Sequence, residues 1–178
     1  MTTTILLARH GETEWNREGR WQGWADPPLN DTGRAQAAEL ADRLRETPID
    51  AVYSSDLARA RETAEIVGGA HGLTVESDPG LREIDLGAWS GLTRAEVEQQ
   101  YPDGDRPGAE TREQHAARVL ESVERIARAH PGERVLVMAH GGCLRALQRH
   151  LDDDVTRPVP NCTVYELHFH ADDGFRAA

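Results

Sequence analysis

The sequence predicts an α/β fold built on a mainly parallel sheet. Short apolar runs alternate with stretches of helical periodicity, the pattern of strand–helix–strand units. The first apolar run ends in Arg9-His10-Gly11-Glu12-Thr13, and a later one, Val135 to Ala139, ends in His140-Gly141-Gly142. Ligands of such sheets gather beyond the carboxyl ends of the strands, where both His-Gly pairs fall. One site assembled from two distant segments is the expectation, and the arginines nearby suit it to an anionic phosphate group.

Taken in order, Ile5 to Ala8 reads as a short buried strand. Residues 10–30 read as a long functional loop with Trp15, Trp21, Trp24 and the turn former Asp26-Pro27-Pro28. Asp31 or Thr32 is the expected cap of a helix reaching about Glu46, with Ala35, Ala38, Leu40, Ala41 and Leu44 as its apolar positions and Pro48 beyond its end. Ile49 to Tyr53 is a second strand. Ser54-Ser55-Asp56 follows and caps a helix over 57–70, and Leu73 to Glu76 is a third strand. Residues 79–110 are irregular, broken by Pro79-Gly80, Gly87, Gly91, Pro102, Gly104 and Pro107-Gly108 around a short helix over 93–100. Loops of that length usually carry function. A long helix over 111–130 places Ala116, Val119, Leu120, Val123, Ile126 and Ala127 on one face and ends at Pro131-Gly132. The Val135 strand, a helix over 142–150 and a strand over 162–169 complete the reading. The 178 residues suit one domain, 1–178.

Composition narrows the function. A net charge of −11 repels nucleic acid and anionic membranes, so neither is an expected partner. It also repels phosphorylated molecules at long range, so a phosphate site must supply its own positive charge. All 20 basic residues are arginine, and each offers a bidentate fork to an oxyanion. Mean hydropathy is −0.62. No apolar stretch approaches the roughly 20 residues that span a bilayer, and Met1-Thr2-Thr3-Thr4 lacks the basic start of a signal peptide. A cytoplasmic protein with Cys143 and Cys162 reduced is expected, their disulfide being left open.

His10 is the candidate nucleophile, because a neutral imidazole can attack phosphorus and split one displacement into two easier ones. Consecutive strand residues face opposite sides, so Arg9 and His10 share a site only if the strand ends there; Gly11 is expected to free the backbone for that turn. Arg9, Arg59 and His140 are candidates to cradle the charge of a transferring phosphoryl group. Arg61 competes with Arg59, and the two project about 200° apart on a helix. Glu83 is the candidate general acid and base, with Glu12 and Asp85 as rivals. The His10-Gly11-Glu12 spacing lacks the helical His pair of a metalloprotease and the cysteines of a zinc site, so neither a metal nor another cofactor is expected. The four tryptophans, Trp89 included, read equally as pocket lining and as loop anchors.

Five ordered blocks resemble the histidine phosphatase (phosphoglycerate mutase-like) superfamily. They are Arg9-His10-Gly11-Glu12-Thr13 with Trp15-Asn16; Asp26-Pro27-Pro28-Leu29 with Thr32 to Ala37; Ser54 to Ala64; Leu81-Arg82-Glu83-Ile84-Asp85-Leu86-Gly87 with Trp89 and Gly91; and Ala139-His140-Gly141-Gly142. The resemblance implies a three-layer α/β/α sandwich whose mostly parallel sheet has an antiparallel edge strand. It implies a phosphorylated His10, proton transfer by Glu83, and a phosphate held by Arg9, Arg59 and His140. Asn16, Gln22, Gly23 and Gly141 match positions near phosphate or substrate. The short segment between Glu83 and His140 resembles the small-phosphatase branch, which includes broad-specificity and α-ribazole phosphatases, although Ala109 stands where glycine is more usual. The expected activity is metal-independent hydrolysis of a small phosphorylated metabolite, the pocket being formed by residues 15–24 and 88–110. A phosphoglycerate mutase is the alternative, and a catalytically silent phospho-ligand-binding domain is a second. The oligomeric state is left open by the sequence, with a homodimer as the candidate assembly.

Overall fold

The computed structural model describes residues 1–151, 156 and 158–177. Its strands are β1 (Thr2–Arg9), β2 (Ala51–Ser54), β3 (Val75–Ser77), β4 (Arg134–Ala139), β5 (Val164–His170) and β6 (Gly174–Ala177). They form one sheet in the order β3-β2-β4-β1-β5-β6. The first four of that order run parallel; β5 pairs antiparallel to β1, and β6 antiparallel to β5. The antiparallel edge therefore holds two strands. The sequence reading missed β6 because Gly-Phe-Arg-Ala is short and lacks an apolar run.

The helices are α1 (Glu14–Arg17), α2 (Asp31–Leu44), α3 (Ala58–Ala70), α4 (Arg94–Gln100), α5 (Arg112–Ala129) and α6 (Gly141–His150), with single 3-10 turns at Pro79–Leu81 and Gly87–Trp89. Alternation along the central strands sorts the core onto two faces. Leu6, Ala8, Leu136 and Met138 pack with Leu40, Ala60, Ala64 and Val67 of α2 and α3. Ile5, Leu7, Val135 and Val137 pack with Val119, Val123, Ile126, Leu144 and Leu147 of α5 and α6. Both faces of β1 and β4 are thus covered, which is why their sequences read as continuous apolar runs. Cys143 belongs to one face and Cys162 to the other; both thiols are free.

Two caps differ from the sequence reading. Asn30, rather than Asp31 or Thr32, caps α2 by accepting from the Gly33 N–H at 2.8 Å. The helix then stops at Leu44, two residues short of the expected end. No side chain of Ser54-Ser55-Asp56 reaches the first turn of α3; instead Asp26, from the preceding loop, accepts from the Ala58 N–H at 2.7 Å. The one-turn α1 inside the expected loop carries a Thr13/Asn16 capping box. No helix among the described residues is long and apolar enough to cross a membrane.

Candidate active site

The parallel pairing of β1 with β4 aligns Arg9 with Ala139, so the next residues, His10 and His140, leave the sheet side by side. The His10 N–H donates to the Ala139 carbonyl at 3.1 Å, and the two imidazoles meet edge to face with centroids 5.1 Å apart. Both rings are buried.

Nδ1 of His10 lies 2.6 Å from the Gly11 carbonyl oxygen. A carbonyl only accepts, so Nδ1 carries the proton and Nε2 keeps a free lone pair. Burial, then the Arg59 and Arg9 charges, hold this imidazole well below the ordinary 6.5, and it stays neutral. His140 is depressed likewise by burial, Arg59 and His10. Its Nε2 lies 2.9 Å from the Ser55 Oγ, which also accepts from the Leu57 N–H at 3.3 Å. With the Ser55 hydroxyl proton directed to Nε2, the ring proton sits on Nδ1, an atom buried with no partner among the described residues.

Arg59 is fully buried at the start of α3, whereas the Arg61 side chain is 60% exposed and paired with Glu65. The Arg59 guanidinium donates to the Ala25 and Gly23 carbonyls at 2.8 Å each, which pins the loop after α1. Arg9 donates to the Val159 carbonyl. Neither arginine has a carboxylate in ion-pair range among the described residues, and the Nε of each is buried without a partner. Burial lowers both pKa values, that of Arg59 to about 10. Unpaired buried donors cost free energy, and an anion that accepts from them offsets it.

Glu83 stands beside this group, its side chain 19% exposed. Its Oε2 accepts from the Gly142 N–H at 3.0 Å in the first turn of α6, and Oε1 accepts from the Ile84 N–H at 2.9 Å. Its main chain is held from two sides: Trp24 Nε1–H donates to the Glu83 carbonyl at 2.8 Å, and Arg118 of α5 donates to the Gly80, Arg82 and Glu83 carbonyls. Arg118 is anchored by Glu110 at 2.7 Å. The rivals are engaged elsewhere. Glu12 accepts from the Asn30 amide at 2.8 Å, and Asp85 caps the Gly87 N–H at 2.9 Å. Arg118 and Trp24 as supports of Glu83 escaped the sequence reading, since no local pattern marks a contact across such separations.

Gly141 packs on the Arg9 side chain: a Cβ there would stand 3.6 Å from its Cδ. Asn16 Oδ1 accepts from the Thr13 N–H at 3.2 Å, and Gln22 is buried, accepting from the Thr13 hydroxyl at 2.9 Å. Gly23 adopts φ +51° and presents its carbonyl to Arg59. Asn161, missed in the sequence, donates to the His10 carbonyl at 2.9 Å. Gly11 departs from expectation. It is absent from the positive-φ residues; it is required because a Cβ would lie 2.5 Å from the Gly33 carbonyl oxygen of α2. Of the two candidate pocket segments, residues 15–24 and 88–110 meet through the Trp21 N–H to Leu92 carbonyl bond and a Trp21–Trp89 contact at 6.2 Å. Trp24 and Trp89 spend their indole N–H groups on the Glu83 and Asp105 carbonyls, and so anchor loops.

Two buried imidazoles thus stand at adjacent parallel strand ends, with two guanidiniums that lack a carboxylate partner among the described residues and with the Glu83 carboxylate. The sequence model described as "Histidine phosphatase superfamily (branch 1)" matches residues 5–177.

The chain belongs to the histidine phosphatase superfamily.

Among its relatives, "Phosphoglycerate mutase-like protein 4" of Arabidopsis thaliana is 43% identical over 157 residues, covering 80% of this chain and 68% of the relative. "Metal-independent phosphoserine phosphatase" of the same plant is 41% identical over 160 residues, covering 82% and 67%. A solved structure of mycobacterial glucosyl-3-phosphoglycerate phosphatase superposes with a TM-score of 0.84 at 32% identity, covering 99% of this chain and 96% of that one. This histidine phosphatase is a phosphatase-type enzyme on the superfamily's α/β sheet.

Proposed function

We propose that this histidine phosphatase hydrolyses small phosphomonoesters without a metal, through a phosphohistidine formed on His10. The observation that carries the reading is the cluster of unspent donors. The His140 Nδ1–H and the Nε–H groups of Arg9 and Arg59 are buried, without partners among the described residues, beside a neutral imidazole with a free Nε2 lone pair. That set is complementary to a phosphoryl group.

In this reading, Arg9, Arg59 and His140 take the phosphoryl oxygens, and the positive end of α6 adds to their field. His10 Nε2 attacks phosphorus as the P–O bond to the leaving group breaks, and protonated Glu83 gives its proton to the departing alkoxide. Glu83, now a carboxylate, takes a proton from water as that water attacks the phosphohistidine, which releases phosphate and returns Glu83 to the acid. The Gly11 carbonyl holds the imidazole orientation throughout. The names of two relatives, a metal-independent phosphoserine phosphatase and a glucosyl-3-phosphoglycerate phosphatase, support phosphate monoesters of small hydroxylated metabolites as substrates.

The test is a panel of phosphorylated metabolites with phosphate release as readout, run with His10→Ala and Glu83→Gln beside the parent. Release by the parent with EDTA present, none with His10→Ala, and a phosphorylated protein mass accumulating in Glu83→Gln after a brief substrate pulse is the expected result. Activity retained by His10→Ala overturns it. Conversion of 3-phosphoglycerate to its 2-isomer without free phosphate selects the mutase alternative, and binding without turnover by the parent selects the silent domain.

A further inference from the structure

Next to Glu83, α5 and α6 bring up two residues that the reaction above does not use. Cys143 and His115 are both buried, and their Sγ and Nε2 lie 3.7 Å apart. His115 Nε2 is 3.8 Å from Glu83 Oε1, and all three candidate ligand atoms fall within 4.8 Å of one another. We propose that Glu83, His115 and Cys143 form a binding site for one thiophilic divalent cation, zinc being the type, and that its binding arrests turnover.

The geometry is close to ready. A tetrahedral zinc ion, with Zn–S about 2.3 Å and Zn–N about 2.0–2.1 Å, holds sulfur and nitrogen roughly 3.5 Å apart. The Sγ–Nε2 and Nε2–Oε1 separations, 3.7 and 3.8 Å, exceed such spacing by a few tenths of an ångström, and Sγ and Oε1 lie within 4.8 Å of each other. The donor set also fits by charge and softness. One thiolate and one carboxylate neutralise a divalent ion, and the imidazole is neutral, its pKa lowered first by burial. Of the arginines whose charge reaches Cys143, Arg118 is already paired with Glu110 at 2.7 Å, whereas Arg59 has no carboxylate in ion-pair range among the described residues. Glu83 is the most exposed of the three, so an ion enters past it from the active site. Three protein ligands leave a fourth position for water, and Oε2 of Glu83 keeps its bond to the Gly142 N–H while Oε1 turns to the metal.

On binding, the Cys143 thiol loses its proton to solvent as the metal–sulfur bond forms, so affinity rises with pH. A metal-bound Glu83 cannot carry a proton to a leaving group. That half of the inference rests on the role proposed for Glu83; the binding half does not.

The experiment titrates cobalt(II), then zinc, into chelator-stripped protein. A thiolate-to-cobalt charge-transfer band reports the site, and phosphate release from a synthetic monoester is read in parallel. Expected are a band saturating at one equivalent, displaced by zinc, with inhibition by zinc that EDTA reverses. Cys143→Ser should abolish the band, weaken inhibition by at least about tenfold and leave turnover in EDTA unchanged. His115→Gln repeats the binding test should Cys143→Ser not fold. Absence of the band in the parent, or its survival in Cys143→Ser with loss in Cys162→Ser, overturns the site. Binding with undiminished turnover overturns the inhibitory half, and with it the proton-transfer role of Glu83.

Discussion

Gly142 donates its N–H to Oε2 of Glu83 at 3.0 Å, and its missing side chain is what lets that carboxylate approach: a Cβ on Gly142 would stand 1.9 Å from Oε1. The second glycine after His140 is thus matched to an acid 59 residues earlier in the chain.

Gly142→Ala should therefore act as a selective lesion of Glu83. The carboxylate must rotate away, and turnover should fall by about 10²-fold or more, the scale of a misplaced general acid. Melting temperature should change little, since Gly142 has ordinary helical backbone. Steady-state kinetics on a phosphomonoester alongside a thermal melt checks this; a full-rate variant would detach Glu83 from the chemistry.

Gly11→Ala should instead damage the fold. The new methyl group would meet the Gly33 carbonyl oxygen at 2.5 Å, and that oxygen is backbone and cannot swing aside. Such overpacking costs about 1–3 kcal/mol. Chemical denaturation should show that loss, with no comparable loss from alanine at the open position Gly69 once its helix propensity is allowed for.

Acid should destabilise the molecule through its buried histidines. His10, His140 and His115 all have folded pKa values below 6.5. Between those depressed values and 6.5 the unfolded chain binds more protons than the folded one. Stability therefore rises with pH through that window and is lost as pH falls through it; above it these groups contribute no slope. Scanning calorimetry should show a melting temperature falling as pH drops below 6.5. A rise on acidification would contradict the burial of neutral rings.

Inorganic phosphate or vanadate should stabilise the protein against heat. An anion that accepts from Arg9, Arg59 and His140, whose donors lack partners among the described residues, binds only the folded chain, and at a hundredfold excess over its Kd it contributes about 2.7 kcal/mol. Arg59→Gln should remove most of that shift, and it should also loosen residues 23–25, whose carbonyls Arg59 holds. Hydrogen exchange in that segment separates the two effects.

Most of the sheet and its flanking helices were legible because β1 and β4 are apolar on both faces and α5 repeats Val119, Val123 and Ile126 on one. The His10–His140 meeting was legible too, since strand ends in a parallel sheet share one edge. What stayed hidden were contacts between segments distant in sequence. Asp26 caps α3, and Arg118 and Trp24 hold Glu83, with no local pattern to announce them. Gly11 was identified as necessary for the wrong reason, because a close backbone approach and a tight turn demand the same residue. Residue spacing alone also left Arg59 against Arg61 undecided; burial separates them, through α3 turning one arginine inward and the other to solvent.

The placement of β4 between β2 and β1 has a bearing on how activity emerges during synthesis. A ribosome that has delivered everything through the 3-10 turn at Gly87–Trp89 has produced the first imidazole, both arginines and the acid, yet no working catalyst. The late strand must wedge into the centre of a sheet already begun from both sides before the second imidazole arrives. Sequence changes that slow this insertion should therefore reduce the fraction of molecules that work, while each mature molecule keeps its ordinary affinity for substrate.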